Sequence, residues 1–257
     1  MSDNILILGA SYGSLLATKL LMAGHNVTLV CRSDTAKLIN AEGTEVRIKL
    51  KGEDTHRAIF SGDLPGQLDA KVPQDVDAGA YDLVSLAMQE PQYTAHALRT
   101  LLVRIAEERI PCLSIMNMPP VPFLKRIPGL DTTQLELSFT DARIWDRFDP
   151  DLVTPCSPDP QAYRLPDETP NKLLVGLPTN FRAAAFGASE PNKLLNCLAA
   201  DIADVRLDDK DVPVKIRVFE SLFIPLSKWS MLLTGNYRCI TPGNAIAINE
   251  AVHGDLE

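Results

Sequence analysis

The sequence predicts an α/β protein with a doubly wound, mainly parallel sheet in its N-terminal part and a mostly helical C-terminal part. Three observations predict this fold class. Short continuous apolar runs recur along the first half of the chain, as is typical of strands buried on both faces of a parallel sheet. Amphipathic stretches lie between these runs, and such alternation is typical of doubly wound sheets. A long apolar stretch near the end of the chain favours a helical part there.

The first unit of the predicted sheet lies within residues 4–32. Residues 5–8 form an apolar run that Gly9 closes, residues 13–23 carry leucines at helical spacing, and residues 27–30 form a second apolar run. A strand, a helix and a strand in so short a span form a compact βαβ unit.

Further strands and helices are expected after this unit. Residues 44–79 are predicted to hold short strands or a loop excursion. Residues 81–88 and 111–116 repeat the pattern of buried strands, and residues 94–108 between them are predicted to be a helix.

The middle of the chain is rich in proline. Residues 119–170 are therefore predicted to be a linker or insertion, with one strand around residues 134–139. The sheet is expected to continue with residues 172–176. An amphipathic helix at residues 193–202 and a short strand at residues 205–207 should follow.

Residues 212–234 are predicted to form a long, mostly apolar helix that Pro225 should kink. We therefore divide the chain into an N-terminal domain at residues 1–210 and the start of a helical substrate or dimerisation domain at residues 211–257. The second part is short for a self-sufficient core. Either it packs on the first domain, or a partner chain completes it, or the chain is a fragment.

Composition argues against several classes of function. The formal net charge is -8, and the chain lacks the clustered basic residues that contact with nucleic-acid phosphates requires. No apolar run is long enough to span a bilayer. The five cysteines form no C-x-x-C pair, which argues against a zinc site and a disulfide framework. A cytoplasmic, reduced protein without a metal is expected.

The turn after the first strand, Gly9-Ala10-Ser11-Tyr12-Gly13, is a shortened form of the glycine-rich turn that binds a dinucleotide pyrophosphate. Gly9 should make the tight turn, Ser11 takes the place of the middle glycine, and Gly13 should allow close packing of the helix. The N-terminus of that helix offers N–H groups to an anion. An ordinary strand–helix turn is the main alternative. A nucleophile elbow, G-x-S-x-G, is disfavoured because it belongs later in a sheet.

The second strand ends at Cys31 and Arg32. Cys31 stands where an NAD site has an acid for the ribose hydroxyl, and Arg32 favours the 2′-phosphate of NADP through bidentate hydrogen bonds. Asp34 lies close enough to keep NAD as an alternative, and a surface arginine in a polar loop is the other interpretation of Arg32. The N-terminal part is thus predicted to be an NADP-binding, Rossmann-type domain.

These residues together resemble the ketopantoate reductases (2-dehydropantoate 2-reductases). The resemblance rests on residues 5–32, on Asp82-Leu83-Val84 followed by Gln89, on the strand that ends at Asn117, and on residues 232–235. It implies transfer of a hydride from NADPH to the carbonyl carbon of a small 2-keto acid, as in pantothenate biosynthesis, by a homodimer. It also implies these cofactor-binding residues: Gly9, Ala10, Ser11, Tyr12, Gly13, Arg32, Met88, Gln89 and Asn117.

The resemblance further implies a lysine that donates a proton to the substrate. Counted back from Gly235, its position falls on Glu220, whereas Lys228 lies on the same face of the predicted helix. Lys228, Asn117 and Glu220 are therefore the catalytic candidates, although Lys228 could equally be a lysine at a domain boundary and Glu220 a helix salt-bridge residue.

Asn236 and Arg238 are candidates for binding the substrate carboxylate, with a helix cap and turn as the alternative. An opine-type dehydrogenase on the same scaffold and a catalytically inactive NADP-binding protein remain alternative functions.

Overall fold

The computed structural model describes residues 2–127, 129–130, 139–185 and 190–220. Its strands are β1 (Asn4–Leu8), β2 (Asn26–Val30), β3 (Glu45–Lys49), β4 (His56–Phe60), β5 (Leu68–Lys71), β6 (Leu83–Leu86), β7 (Cys112–Ser114), β8 (Val153–Ser157), β9 (Gln161–Tyr163), β10 (Lys172–Leu177), β11 (Phe181–Ala184), β12 (Arg206–Leu207), β13 (Lys210–Asp211) and β14 (Ile216–Phe219). Its α-helices are α1 (Gly13–Met22), α2 (Ser33–Glu42), α3 (His96–Glu107), α4 (Val121–Leu124) and α5 (Glu190–Asp201).

Eight strands form one sheet in the order β14-β11-β8-β7-β6-β1-β2-β5. The six strands from β8 to β5 are parallel. Numbered along the chain, they have the order 3-2-1-4-5-6, which is that of a Rossmann-type sheet. β11 runs antiparallel to β8, and β14 extends the edge parallel to β11. The predicted doubly wound, Rossmann-type sheet is therefore confirmed.

A second sheet, of order β4-β3-β10-β9, covers the outer side of α1. Helix α1 contacts β3 and β10 as well as β1 and β2. All its residues from Gly13 to Leu21 are buried, as is expected of a helix that is apolar on most of its surface. Helix α1 is thus enclosed between two sheets, which holds its N-terminus at the edge of the larger one.

Two apolar clusters fill the molecule, one on each face of the large sheet. The first joins β1 and β2 with α1, α5 and the smaller sheet. The second lies on the other face, where α3, α4 and the fully buried Trp145 pack. Because both faces are covered, Leu6 and Ile7 are completely buried although they point to opposite sides.

The elements with a strong local pattern are confirmed. The strands at residues 5–8, 27–30, 81–88 and 111–116 and the helices at residues 13–23, 94–108 and 193–202 appear as β1, β2, β6, β7, α1, α3 and α5. The short strand at residues 205–207 is also confirmed, as β12. Helix α2 was not predicted, because its sequence is largely polar and only Thr35, Ala36 and Ile39 are buried.

The prediction that residues 119–170 form a linker is wrong. They contain β8, whose five residues are all buried and which pairs with β7 and β11 in the large sheet. Pro155 lies within this strand. Proline cannot donate to a strand ladder and usually argues against a central strand, which is why composition misled the prediction. The strand expected around residues 134–139 lies almost wholly outside the described residues.

Two further predictions are corrected. Residues 172–176 form part of β10 but belong to the smaller sheet, where β10 pairs with β3 and β9. The helix expected from residue 212 is wrong as far as residue 220, since β14 pairs there with β11. A short, largely apolar segment can form either a strand or a helix. Here its pairing with β11, at the edge of the large sheet, makes it a strand. The division of the chain at residue 210 stays a prediction.

None of the described helices combines the length and the apolar character that crossing a membrane demands.

Candidate cofactor site

The carboxyl ends of β1, β2, β6 and β7 meet at one edge of the large sheet. The chain passes from β1 outward to β2 and β5 and then returns to the other side of β1 with β6. Ligands of doubly wound proteins bind outside the carboxyl ends of the strands, where the strand order reverses in this way. The turn that follows β1 lies at this point.

Gly9 begins the turn in a conformation that requires glycine. Its φ is +117°, a region that residues with a Cβ atom rarely adopt. Its N–H donates to the carbonyl oxygen of Val30 at 3.0 Å. A Cβ atom at this position would lie 3.0 Å from the carbonyl oxygen of Ala87 and 3.1 Å from Cγ of Met88. The turn therefore passes close beneath the segment that follows β6.

Gly13 allows α1 to approach β1. A Cβ atom on Gly13 would lie only 2.6 Å from Cγ2 of Ile7. Next to it, the buried Ser14 hydroxyl donates to the carbonyl oxygen of Ala10 at 2.6 Å. Gly13 thus fills the packing role predicted for it. Ser14, which sequence reasoning missed, stabilises the turn through its hydrogen bond to Ala10.

The N-terminus of α1 is open to an anion. No side chain caps it at Tyr12, and its first turn contains no acidic residue. Ser11 is exposed beside it. Free N–H groups and the positive end of the helix dipole favour a phosphate at such a terminus. The residues present thus fit the pyrophosphate of a dinucleotide, with Ser11 able to add a hydroxyl.

Tyr12 connects this turn to a distant part of the chain. Its hydroxyl donates to the carbonyl oxygen of Pro160 at 2.6 Å, and its ring packs edge-on against Phe181 with the ring centres 6.0 Å apart. The segment that leads into β9 is therefore held beside the turn.

The end of β2 is positively charged. Arg32 is exposed and directly precedes α2, and Arg164, which follows β9, lies within electrostatic reach of both Arg32 and Cys31. Burial raises the pKa of the Cys31 thiol to about 11, against the opposing effect of Arg164 and then Arg32. Burial, followed by the charge of Arg32, lowers the pKa of Arg164. Sequence reasoning missed Arg164, because only the placement of β9 brings it here.

Met88 and Gln89 follow β6 and flank the turn. The N–H of Met88 donates to the Tyr93 hydroxyl at 3.1 Å, and the N–H of Gln89 donates to Oε1 of Gln92 at 2.9 Å. Burial raises the pKa of Tyr93, and the hydrogen bond from Met88 partly opposes this effect. The backbone beside Gly9 is thus held by side chains of the next helical turn, Glu90–Thr94.

Asn117 follows β7 at the same edge of the sheet and is half-buried. Glu220 does not join these residues. It is exposed and follows the end of β14. Because β14 is the outermost strand of the large sheet, with β11, β8, β7 and β6 between it and β1, Glu220 is separated from the turn by the width of four strands. The candidates Lys228, Asn236 and Arg238 lie outside the described residues.

No cluster of metal-ligating side chains is found among residues 2–127, 129–130, 139–185 and 190–220.

Comparison with known families agrees with this geometry. A sequence model described as ketopantoate reductase PanE/ApbA matches residues 5–117. The matched segment contains the turn, Arg32, Met88, Gln89 and Asn117. No curated protein matches the chain.

Three solved structures illustrate the likeness of fold. A protein described as a ketopantoate reductase of Ralstonia solanacearum MolK2 has a TM-score of 0.63 and 20% identity, over 91% of this chain and 66% of that one. The 2-dehydropantoate 2-reductase of Porphyromonas gingivalis W83 has a TM-score of 0.54 and 13% identity, over 91% and 70%. An octopine dehydrogenase, solved with NADH and agmatine, has a TM-score of 0.54 and 13% identity, over 90% and 52%.

At these identities the structures support the fold alone. The chain spans about two thirds of the length of the Ralstonia protein and about half of the octopine dehydrogenase.

Proposed function

We propose that this chain is an NADPH-dependent reductase of a small 2-keto acid, because residues 5–117 match the model of the ketopantoate reductase family. The family comprises oxidoreductases that use nicotinamide cofactors. The observation that carries the proposal is the turn from Gly9 to Gly13. It combines a glycine-only conformation, close packing of α1 on β1 and an uncapped helix N-terminus at the carboxyl edge of a Rossmann-type sheet.

The turn would hold the pyrophosphate of the cofactor. Backbone N–H groups at the start of α1 would donate to it, together with the hydroxyl of the exposed Ser11. Arg32 would bind the 2′-phosphate of NADP. Ala10, Tyr12, Met88 and Gln89 would shape the backbone around the dinucleotide.

A bound dihydronicotinamide supplies the hydride for the substrate carbonyl carbon. Asn117, at the end of β7, would hold the reacting groups in place through its side-chain amide. Lys228 would donate the proton to the carbonyl oxygen, and its positive charge would stabilise the oxyanion as it develops. Asn236 and Arg238 would bind the substrate carboxylate, for which a guanidinium offers two parallel hydrogen bonds.

The proposal assigns no chemical step to Glu220. Its exposed position follows β14, the outermost strand of the large sheet, and four strands separate β14 from β1 and the turn. A carboxylate also cannot provide the positive charge that an oxyanion requires. Lys228 is therefore the residue to test.

A homodimer is part of the proposal, on the strength of the family resemblance. The mass of the chain is 28.1 kDa. Light scattering coupled to size-exclusion chromatography should give about twice this value. A monomeric mass would remove the dimer from the proposal without affecting the assignment of the cofactor site.

An opine-type dehydrogenase is the second candidate. Such an enzyme joins an amino acid to a keto acid, and the likeness of the fold to an octopine dehydrogenase supports it. The two candidates differ in one requirement, since only the opine reaction needs an amine.

The test is the oxidation of NADPH by the full chain with ketopantoate and other small 2-keto acids, each with and without an amino acid. Turnover without an amine is expected. Turnover only with an amine would favour the opine reaction, and binding of NADPH without any turnover would identify an inactive binding protein.

Lys228→Ala should abolish turnover and leave NADPH binding unchanged. The matched control is Lys49→Ala, which removes an exposed lysine on β3 and should retain turnover. Retained turnover in Lys228→Ala would remove the catalytic assignment of Lys228.

A further inference from the structure

We propose that Arg164 is a second residue that determines cofactor specificity, and that it binds a phosphomonoester on the cofactor ribose together with Arg32. This inference rests on the proposed function, because it assumes that a dinucleotide occupies the turn from Gly9 to Gly13. It adds a residue from outside the segment that matches the family.

The path of the chain places Arg164 at this site. The carbonyl of Pro160 accepts the hydrogen bond from Tyr12, at the start of α1. β9 follows at once, and the chain then reaches Arg164, within electrostatic reach of Cys31 and Arg32. Four extended residue steps span about 13 Å. The segment therefore begins beside the pyrophosphate turn and ends beside the carboxyl end of β2, along the edge where an adenosine ribose would lie.

Pairing within the smaller sheet holds this segment in place. β9 is antiparallel to β10, with Ala162 opposite Val175 and Tyr163 opposite Leu174. β10 in turn pairs with β3, the strand that follows α2. The smaller sheet thus connects the segment of Arg164 to the C-terminal end of α2, the helix that Arg32 directly precedes.

The two guanidiniums lack a carboxylate partner among the described residues. Eight other arginines form ion pairs with Asp or Glu, namely Arg47, Arg57, Arg99, Arg109, Arg126, Arg143, Arg147 and Arg182. Neither Arg32 nor Arg164 has such a pair in the described part of the chain, although the chain carries a net charge of -8. Nε of Arg164 is buried and has no hydrogen-bond partner among the residues that the structure describes.

This arrangement is unfavourable without a ligand. Two positive charges of the same site repel each other, and a buried donor without an acceptor costs free energy. Burial and the charge of Arg32 both lower the pKa of Arg164, because both disfavour the charged form of its guanidinium. A phosphomonoester would relieve both effects, because it brings negative charge and several acceptor oxygens.

The neighbouring residues favour a phosphate over free ribose hydroxyls. Cys31 occupies the position at which an acid would accept hydrogen bonds from the ribose hydroxyls. Its thiol stays protonated at neutral pH, because burial raises its pKa to about 11. Asp34 is exposed in the first turn of α2, and within the described residues it forms no ion pair with Arg32. The positive side chains thus face the site without a competing carboxylate.

The test compares the dissociation constants of NADPH and NADH for the full chain and for Arg164→Gln, measured by titration of cofactor fluorescence. Wild type should prefer NADPH. Arg164→Gln should weaken NADPH binding about tenfold, as expected for the loss of one bidentate charged contact, and leave NADH binding unchanged. Arg164→Lys should be intermediate, since lysine keeps the charge but loses the fork of donors.

Arg147→Gln is the matched control. It removes one exposed positive charge that is paired with Glu107 at the end of α3, at the other edge of the sheet, and it should leave both constants unchanged. Thermal unfolding of each variant shows whether it is folded.

The possible results distinguish a failure of the proposed function from a failure of the role of Arg164. If wild type binds neither dinucleotide, the proposed function fails and this inference fails with it. If wild type prefers NADPH and Arg164→Gln keeps the full preference, the proposed function stands and the role of Arg164 is overturned. An equal loss for NADPH and NADH would also overturn it, because Arg164 would then act on a part that both cofactors share.

Discussion

The side-chain amine of Lys19 donates a hydrogen bond to the carbonyl oxygen of Val212 at 2.8 Å, inside the core of the molecule. Lys19 is 1% exposed. Burial, followed by the charge of Lys215, lowers its pKa to about 7 against the opposing effect of Asp211. The contact joins α1 to the segment that leads into β14, so the central helix and the edge of the sheet are connected through one buried lysine.

This lysine predicts a pH dependence of stability. Between pH 7 and the usual lysine pKa of 10.5, the unfolded chain binds a proton at Lys19 that the folded chain has lost. The free energy of unfolding should therefore rise with pH across this window, with a slope of at most about 1.4 kcal/mol per pH unit from this residue. Lys19→Met should lack this contribution.

Urea denaturation of wild type and Lys19→Met at several pH values between 7 and 9 measures the effect. The slope, and not the absolute stability, is the quantity to compare, because the variant also leaves the Val212 carbonyl without its donor. Equal slopes in the two proteins would contradict the assignment.

Close packing at Gly13 predicts a strong effect of one added methyl group. Gly13→Ala places a Cβ atom 2.6 Å from Cγ2 of Ile7, and overpacking of this kind costs about 1–3 kcal/mol. The free energy of unfolding should fall by that amount in urea denaturation, although alanine favours a helix. Gly62→Ala is the control, because a Cβ atom there meets nothing within 4 Å. A loss in Gly62→Ala as large as that in Gly13→Ala would refute the packing argument.

The hydrogen bond from Tyr12 to Pro160 should contribute to stability. Tyr12→Phe keeps the ring beside Phe181 and removes the donor, so the free energy of unfolding should fall by about 0.5–1.5 kcal/mol. Tyr163→Phe is the matched control, since that side chain is 50% exposed and should tolerate the change. Equal stabilities of Tyr12→Phe and wild type would show that the 2.6 Å hydrogen bond makes no net contribution to the free energy of unfolding.

The βαβ unit could be predicted from sequence because its signals are local. The glycines at positions 9 and 13 and the apolar runs on either side of α1 lie within one short segment. Arg164 could not be predicted, because its place depends on the pairing of β9 with β10 and on the bond from Tyr12 to Pro160, which joins residues 148 positions apart.

Other elements depended on context in the same way. Pro155 argued against a strand, yet β8 is buried between β7 and β11. The segment at residues 216–219 is too short for its periodicity to separate a strand from a helix, and its pairing with β11 makes it a strand. Helix-face reasoning therefore could not place Glu220.

Burial predicts the order in which thiols react. Cys197 is exposed, whereas Cys112 and Cys156 are buried. Burial raises the pKa of the Cys112 thiol to about 12 and that of Cys156 well above its usual value. Because the thiolate is the reactive form, a thiol reagent should label Cys197 before the other three cysteines of the described residues in the native protein, as followed by peptide mass spectrometry.

Cys31 offers a further readout in the same labelling experiment. It is half-buried within electrostatic reach of Arg164 and Arg32, so its slow labelling should become slower when NADPH is added, while labelling of Cys197 stays the same. Unchanged labelling of Cys31 at saturating NADPH would place the cofactor away from the end of β2.

The central claim is that the turn from Gly9 to Gly13 binds a nicotinamide dinucleotide, and the most direct test is a fluorescence titration of NADPH with the full chain. The account predicts saturable binding, an increase and blue shift of the cofactor emission, and competition by ADP, which carries the pyrophosphate but no nicotinamide. If the emission spectrum of NADPH is the same at every protein concentration as that of free NADPH, the claim is contradicted.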